Sequence, residues 1–260
     1  MAKLTVLTSS YNAKDYLKSY FKSAGRQTFT NFEIAFEAIQ PTPKEHIIIE
    51  KAKQKYKFIN LKTHQVKIPL PQAWNSAIDR TKSELICIWN VDDLRTINSL
   101  DNMVQVFEKQ KEIDFVYGNF TVTNKFKKTK GNYVNLTGKE NELRKSMLLG
   151  PFFMFRRSVL DQIGYFDEQL LSGADYDFAM RLGRRCEGKH IDINLGYFLN
   201  KRSGLSTNEN SLQEIERTVV EIRYDIDVLN NSLIEEAKTK YMISKYSYKG
   251  EYVNFGDFLG

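Results

Sequence analysis

Short apolar runs alternate with amphipathic stretches along the first 120 or so residues of the chain. The runs favour strands, and the stretches repeat apolar residues every three or four positions, which favours helices. The pattern predicts strands at 3–9, 32–37, 57–61, 84–89 and 113–117, and helices at 13–24, 44–56, 72–81 and about 99–110. Strands that alternate with helices form a mostly parallel central sheet flanked by helices, so we expect an α/β fold. Asn12 is the expected cap of the first helix.

The pattern changes in the second half of the chain. Residues 120–136 are polar with strand-like alternation and predict a hairpin, 150–155 predict a strand, and 158–163 and 174–185 predict helices. Residues 212–245 have helical spacing, with an apolar stripe at Leu212, Ile215, Val219, Ile222, Ile226 and Leu229, and 246–260 are aromatic-rich and irregular. We therefore expect a domain over residues 1–206 and a helical C-terminal extension over 207–260. The stripe would pack against the domain or between protomers.

The strand expected at 84–89 is apolar throughout, as are strands buried on both faces, and it runs directly into Asp92 and Asp93. Ligands of open α/β sheets gather at the carboxyl ends of the strands. Two adjacent carboxylates repel each other there unless a cation shares the site, and Mg²⁺ takes one or two protein carboxylates. The alternative is a turn in which the aspartates cap the next helix, and the pair taken alone favours that turn.

Composition narrows the class of protein. Hydrophobic residues make up 42% of the chain, yet no apolar run approaches the ~18 residues that span a bilayer. The N-terminus reads straight into a strand and shows no signal peptide, and two isolated cysteines indicate a reducing compartment. A cytoplasmic protein is expected. The net charge of +6 fits a phosphorylated substrate, an anionic membrane or solubility alone, and no nucleic-acid-binding motif accompanies it.

A series of segments resembles the family 2 glycosyltransferases, whose nucleotide-diphosphosugar domain has the fold called GT-A. In order they are LTVLTSSYN at 4–12, QTFTNFE at 27–33, AWNSAI at 73–78, NVDD at 90–93, YGN at 117–119, FRRSVL at 155–160, IGYFDE at 163–168 and GADYDFAMRL at 173–182. Each segment alone is a weak signal, but the set keeps the family's order and spacing over about the first 200 residues.

The resemblance implies transfer of a sugar from a nucleotide diphosphate to an acceptor hydroxyl, with inversion at the anomeric carbon. It places Mn²⁺ or Mg²⁺ at Asp92, with Asp93 contacting the ribose, the sugar or a water on the metal. It makes Asp175 the general base that takes the acceptor's proton. Asp177 is the competing base, and Asp175 could alternatively cap its helix. We expect the helix dipole to hold Asp175 ionised.

The resemblance also implies contacts to the donor. They are expected from Thr8, Ser10, Tyr11, Glu37, Asn75 and Arg202. Tyr11 would lie beside the base, or else belong to the core; Glu37 would bind the imide N–H of the base; and Asn75 would contact pyrophosphate or ribose. Arg202 would sit on a loop that closes over the diphosphate. Arg156 and Arg157 either face phosphate or lie on the solvated surface.

Several positions depart from the family pattern. The usual acidic pair after the second strand is absent from 36–40, Asn90 replaces the first aspartate of the metal motif, Trp74 replaces a basic residue, and Ala174 replaces an acidic one. These departures motivate a second hypothesis, a catalytically silent relative that binds nucleotide-sugar or scaffolds a glycan-assembly complex. A nucleotidyltransferase ranks third, because residues 8–12 contain no glycine for a phosphate loop.

The expected partners are a nucleotide-diphosphosugar, a UDP-sugar in the first place, and a glycan or lipid-linked acceptor of bacterial surface polysaccharide, lipopolysaccharide or glycoprotein synthesis. No nucleic acid is expected. Peripheral contact with the inner membrane face would use Lys238, Lys240, Lys245 and Lys249, and the C-terminal helices could join protomers. The chain lacks membrane helices and a Gln-x-x-Arg-Trp segment, so we expect an enzyme that adds one sugar rather than a processive synthase.

Overall fold

The computed structural model describes residues 1–139, 142–143, 148–200 and 212–255. Its strands are β1 (Leu4–Ser10), β2 (Phe32–Ile39), β3 (Ile59–His64), β4 (Leu85–Ile88), β5 (Leu94–Arg95), β6 (Phe115–Thr123), β7 (Asn132–Val134), β8 (Phe153–Arg156), β9 (Gly188–Leu199), β10 (Lys245–Tyr248) and β11 (Glu251–Asn254). Its helices are α1 (Lys14–Ala24), α2 (Pro43–Lys55), α3 (Leu70–Asp79), α4 (Ser99–Lys109), α5 (Val159–Ile163), α6 (Ala174–Arg185), α7 (Leu212–Arg223) and α8 (Ile234–Lys240).

One large sheet organises the molecule, in the order β3-β2-β1-β4-β8-β6-β9-β5, with β7 beside β6. β1 runs parallel to β2 and β4, and β6 runs parallel to β9, while β8 is antiparallel to both β4 and β6. The carboxyl ends of β1, β4, β6 and β9 therefore meet at one edge. The predicted α/β fold with a mostly parallel sheet is confirmed.

Successive side chains along the strands pack against two layers of helices, one on each face of the sheet. Val6 of β1 packs into a core with α1, α2 and α4, whereas Leu7 faces the opposite layer, which contains α3, α5 and α6. This alternation follows from the strand geometry, which points successive side chains to opposite faces. The layer that carries Asp175 on α6 is thus separated by the sheet from the layer that carries α1.

The expected cap of the first helix is wrong. Asn12 has a positive φ of 49°, and Ala13 occupies the N-cap position without a side-chain cap. Glu45 of α2 supplies the missing acceptor, because the backbone N–H of Ala13 donates to Glu45 Oε1 at 2.6 Å. The same carboxylate closes a capping box with Thr42 at the start of α2. One buried glutamate therefore fixes the starts of two neighbouring helices.

The C-terminal segment packs against the domain. Ile215 and Val219 of α7, and Tyr224 just after it, are buried against Leu170 and Met180. The helical stretch expected over 212–245 contains two helices, because α7 ends at Arg223 and the chain turns before α8. The expected irregular stretch after 246 instead begins with the hairpin β10–β11. The proposed boundary at 206 lies outside the described residues. Within the described residues, no helix has both the length and the hydropathy needed to cross a bilayer.

Candidate active site

The Asp92–Asp93 turn follows β4 at the carboxyl edge of the sheet. Asp93 is buried, at 1% exposure, and Asp92 is partly exposed. Two contacts fix the turn: Trp89 Nε1 donates to the Asp93 carbonyl at 3.1 Å, and the backbone N–H of Leu199 donates to Asp93 Oδ1 at 3.1 Å. The turn is thus anchored to its own strand and to the end of β9. Asp92 therefore lies on the solvent side of the turn, and Asp93 lies on the buried side.

The electrostatics of this turn suit a cation. Burial, and then the neighbouring Asp92 carboxylate, raise the pKa of Asp93 to about 8, and Asp93 Oδ2 is buried without a hydrogen-bond partner. Among the described residues, no group of three or more His, Cys, Asp or Glu side chains is arranged as a metal site. The protein can therefore offer a pair of carboxylates, which matches Mg²⁺ or Mn²⁺ that takes its other ligands from phosphate and water.

Asp175 lies in the first turn of α6 and is partly buried. Its Oδ1 accepts the backbone N–H of Tyr176 at 2.9 Å. Burial raises the pKa of Asp175 to about 6, against the lowering effect of nearby backbone N–H groups, and the Glu216 carboxylate adds to the rise. The pKa of Asp175 is thus raised although the side chain lies at a helix start, because burial outweighs the nearby backbone N–H groups. Asp175 is ionised above pH 6 and is well matched to accept a proton near neutrality.

Asp177, the competing base, is committed to a buried network. Its Oδ2 accepts from Arg181 at 2.6 Å, and its Oδ1 accepts from Arg223 at 2.6 Å and from the Tyr224 hydroxyl at 2.9 Å. Burial acts to raise the pKa of Asp177, but Arg181 and Arg223 together bring it below its usual value. A fully engaged carboxylate with a lowered pKa is a poor proton acceptor, so the geometry favours Asp175.

Glu216 of α7 organises the loop that leads into Asp175, and the sequence did not single it out. Its carboxylate accepts the backbone N–H groups of Leu171, Ser172 and Gly173 at 2.8, 2.6 and 2.8 Å, and the Tyr241 hydroxyl at 3.0 Å. Glu216 is fully buried. A glutamate inside the apolar stripe of α7 was the available signal, since a buried carboxylate requires partners.

Three residues at or just after the end of β1 were predicted to contact the donor, and they differ in exposure. Tyr11 is 44% exposed, and Lys67 Nζ lies over its ring, 4.9 Å from the centroid. Ser10 is buried just before it. The Thr8 hydroxyl points into the core, where it hydrogen-bonds to the Tyr20 hydroxyl at 2.5 Å and donates to the Trp89 carbonyl at 3.1 Å. The Thr8 side chain therefore has an internal role, and its contact with the donor stays a prediction.

Glu37 is likewise engaged inside the protein. It is fully buried on β2, and its carboxylate pairs with Arg80 Nε at 2.7 Å and with the His64 ring. The departure of this segment from the family pattern fits that arrangement, since the side chain balances Arg80 of the α3 layer. Glu37 therefore belongs to an internal ion cluster in this structure, and its recognition of the base stays a prediction.

Asn75 braces α3 against the chain before α6. Its Nδ2 donates to the Phe166 carbonyl at 2.8 Å and to Glu168 Oε1 at 2.9 Å, while its Oδ1 accepts the Phe166 N–H at 3.1 Å. Both ends of the amide are therefore occupied. Asn75 thus forms an internal link, and its contact with pyrophosphate or ribose stays a prediction.

Arg156, the last residue of β8, and Arg157 after it lie far from the Asp92–Asp93 turn. Arg156 pairs with Leu85 at the amino end of β4, and its guanidinium donates to Glu84 Oε1 at 2.5 Å and to the Ile113 carbonyl at 2.8 Å. Arg157 donates to the carbonyls of Ser83 and Ile78. The predicted phosphate contact is wrong for both, because they occupy the edge opposite Asp92. Arg202 lies outside the described residues, and its contact with the diphosphate stays a prediction.

Comparisons with known proteins agree with this geometry. A model of the family described as glycosyl transferase family 2 matches residues 5–164. No curated protein sequence matches the chain significantly. Among solved structures, S. aureus TarS 1-349 is similar, with a TM-score of 0.64, 17% identity, and coverage of 92% of this chain and 71% of that one.

Two ligand complexes are also similar. S. aureus TarS 1-349 in complex with UDP-GlcNAc has a TM-score of 0.63 and 16% identity, with coverage of 92% of this chain and 72% of that chain. The mannosyltransferase PcManGT from Pyrobaculum calidifontis, in complex with GDP-Man and Mn²⁺, has a TM-score of 0.59 and 14% identity, with coverage of 91% and 68%. At these identities the likeness concerns the fold.

Proposed function

This chain belongs to glycosyl transferase family 2, and we propose that it transfers a sugar from a nucleotide-diphosphosugar to an acceptor hydroxyl with inversion at the anomeric carbon. In this proposal Asp92 holds Mn²⁺ or Mg²⁺, supported by Asp93, and Asp175 is the general base. A UDP-sugar is the proposed donor, in line with the UDP-GlcNAc of the TarS complex; the GDP-Man of PcManGT marks the main alternative.

The observation that carries the proposal is the anchored carboxylate turn at the end of β4. Asp93 is buried beside Asp92, and its Oδ2 has no hydrogen-bond partner. A cation bound at Asp92 would therefore relieve the repulsion between the two carboxylates. When bound, the cation would neutralise charge on the departing diphosphate as a Lewis acid. The role of the protein is to hold the turn rigid through Trp89 and Leu199.

The proton of the acceptor hydroxyl passes to Asp175. Its pKa of about 6 keeps it ionised at neutral pH while making it a stronger base than an ordinary aspartate. Glu216 fixes the three residues that precede α6, and so fixes the approach to Asp175. Tyr11 offers an exposed ring on which the nucleotide base could stack.

We propose an acceptor in bacterial surface polysaccharide, lipopolysaccharide or glycoprotein synthesis, in keeping with the family 2 motifs. Support for membrane contact through the C-terminal lysines is weaker. Lys240 is paired with Glu236, and Lys249 with Asp79 at 3.0 Å, so two of these charges are partly balanced within the protein. The acceptor is therefore proposed as a glycan or a lipid-linked glycan, without a dedicated membrane surface.

The deciding experiment compares Asp175→Asn with Asp161→Asn, an exposed aspartate of α5. With UDP-, GDP- and dTDP-sugars and Mn²⁺, Asp175→Asn should lose about 10²–10⁴-fold in kcat while it still binds donor, and the control should match wild type. The melting temperature of Asp175→Asn at pH 8 should equal or exceed that of wild type, because the substitution removes a buried carboxylate whose pKa is raised. Normal transfer by Asp175→Asn would refute the assignment of the base.

The same panel tests the silent-relative hypothesis, which the internal roles of Glu37 and Asn75 favour. A wild-type protein whose melting temperature rises with one nucleotide-sugar, but which never turns it over, would be a binding or scaffold protein. Turnover of any donor removes that alternative.

A further inference from the structure

A cavity of about 450 Å³ lies between α1, β5 and the connection from β6 to β7. It lies against α1, in the helical layer that the sheet separates from the layer carrying Asp175. Its lining includes Lys22, Arg26, Arg95 and Lys127, and no aspartate or glutamate. The volume falls in the range of small-molecule pockets, and it is larger than a single phosphate ion requires.

Arg95 is the buried cation of this cavity, at 4% exposure. Its guanidinium lies over the rings of Trp89 and Phe152, 5.4 and 5.1 Å from their centroids. Nη1 donates to Ser99 Oγ at 3.0 Å and Nη2 donates to the Ile88 carbonyl at 2.8 Å, but Nε is buried and has no hydrogen-bond partner. Both acceptors are neutral, so these bonds hold the guanidinium in place without balancing its charge.

No carboxylate of the described residues forms an ion pair with Arg95, although Asp93 acts on it from a greater distance. Buried charges in proteins are normally paired, because a lone charge loses its hydration without compensation. An anion in the adjoining cavity would provide that compensation. Arg95 therefore points to a ligand rather than to a structural partner.

The other cations of the lining are exposed. Within the part of the chain that the structure describes, Lys22, Arg26 and Lys127 form no ion pair. Like charges gathered around one cavity repel each other, so the arrangement is costly unless an anion joins it. Neutral polar groups complete the lining: the hydroxyls of Ser19 and Ser23 have no hydrogen-bond partner among the described residues.

We propose that this cavity binds a phosphorylated sugar or polyol, at a site separate from the donor site. The guanidinium and ammonium groups would take the phosphate, and the hydroxyls of Ser19 and Ser23 would hydrogen-bond to the carbon chain or ring. The proposal rests on the cavity and its charges, and it does not depend on the activity proposed for Asp92 and Asp175.

The test uses calorimetry and thermal shift on the full chain in EDTA, without nucleotide. The probes are glucose 6-phosphate, inorganic phosphate and glucose, at matched ionic strength. Glucose 6-phosphate should bind and raise the melting temperature, and glucose should do neither. The double variant K22Q/R26Q should weaken binding at least tenfold, while Lys18→Gln, an exposed lysine of α1 outside the lining, should bind as wild type does.

Asp92→Asn separates this site from the donor site and should leave glucose 6-phosphate binding unchanged, since Asp92 does not line the cavity. The proposal is overturned if neither phosphate probe binds at millimolar concentration, or if Lys18→Gln weakens binding as much as the double variant does. Loss of binding in Asp92→Asn would also overturn it, because the phosphate would then lie at the donor site.

Discussion

The molecule contains two close pairs of aspartates that are balanced in different ways. In the first, Asp167 and Asp177, both side chains are fully buried and Arg223 Nη1 donates to each, at 3.1 and 2.6 Å. Arg181 adds a second cation at 2.6 Å from Asp177. Every charge of this cluster has a partner inside the protein, and the cluster ties α6 to α7.

In the second pair, Asp92 and Asp93, the buried member has a different environment. Asp93 accepts one backbone N–H, keeps an unsatisfied Oδ2, and forms no ion pair with any described residue. Burial raises the pKa of Asp93 to about 8, whereas the two arginines lower that of Asp177. The contrast teaches that a carboxylate pair with its own arginines stabilises the fold, while a pair left without them is suited to an external cation.

The largest expected effect comes from breaking the balanced pair. Arg223→Met leaves Asp167 and Asp177 buried with one cation fewer, so the free energy of unfolding should fall by about 3–5 kcal/mol. Urea denaturation measures it. Arg217→Met, at a side chain 52% exposed on the same helix, should cost less than about 1 kcal/mol. Equal losses in the two variants would show that the buried cluster contributes no more to the free energy of unfolding than the exposed side chain of Arg217.

Asp92→Asn tests whether the Asp92–Asp93 pair binds a cation. With donor at about a hundred times its Kd, wild type should gain about 2.7 kcal/mol of stability that depends on Mn²⁺, and the variant should lose most of that gain. Thermal shift with and without Mn²⁺ measures it, and Asp15→Asn, an exposed aspartate of α1, is the control. A full Mn²⁺-dependent gain in Asp92→Asn would place the cation elsewhere.

Glu216→Gln tests the support of the base. A glutamine cannot accept all three N–H groups as the carboxylate does, so we expect about 1–2 kcal/mol of lost stability and a fall in kcat larger than any change in KM. The acid limb of the pH profile should also move to lower pH, because Glu216 helps to raise the pKa of Asp175. Glu235→Gln, exposed on α8, is the matched control. A pH profile equal to that of wild type would show that Glu216 supports the structure without affecting the pKa of Asp175.

The smallest effect is a pH dependence of wild type. Asp175 must be ionised to accept a proton, so kcat/KM should fall about tenfold for each pH unit below 6. The contribution of Asp175 to the stability of the fold should instead decrease as the pH rises. Its folded pKa lies above its unfolded value, so its contribution is fully present below about pH 4 and is lost as the pH rises through 6. A kcat/KM that stays flat down to pH 4.5 would exclude Asp175 as the base.

Much of the fold was predictable because its signals are local. The helix that carries Asp175 was predicted at 174–185 and spans Ala174–Arg185, since Gly173 precedes a regular apolar spacing. The apolar run before Asp92 became β4, and the strand–helix alternation gave the layers. The edge where Asp92 lies followed from the rule that ligands gather at the carboxyl ends of parallel strands.

The rest depends on contacts between distant residues. β9 was missed because Lys189, His190 and Asp192 interrupt its apolar residues, and it is held by pairing with β6. Asn75 looked available to a donor, but its partner Phe166 is 91 residues away in sequence. Local pattern shows which polar residues lie near a site, but not which of them the fold has already engaged.

The glutamate of α7 makes the two ends of the domain interdependent. Its three backbone partners lie just before Asp175, and the carboxylate that accepts their N–H groups comes from beyond residue 200. A chain shortened before Leu212 would still contain the whole segment matched by the family model, yet the approach to Asp175 would lose its anchor. The segment that identifies the family is therefore shorter than the segment that holds the loop before Asp175 in place.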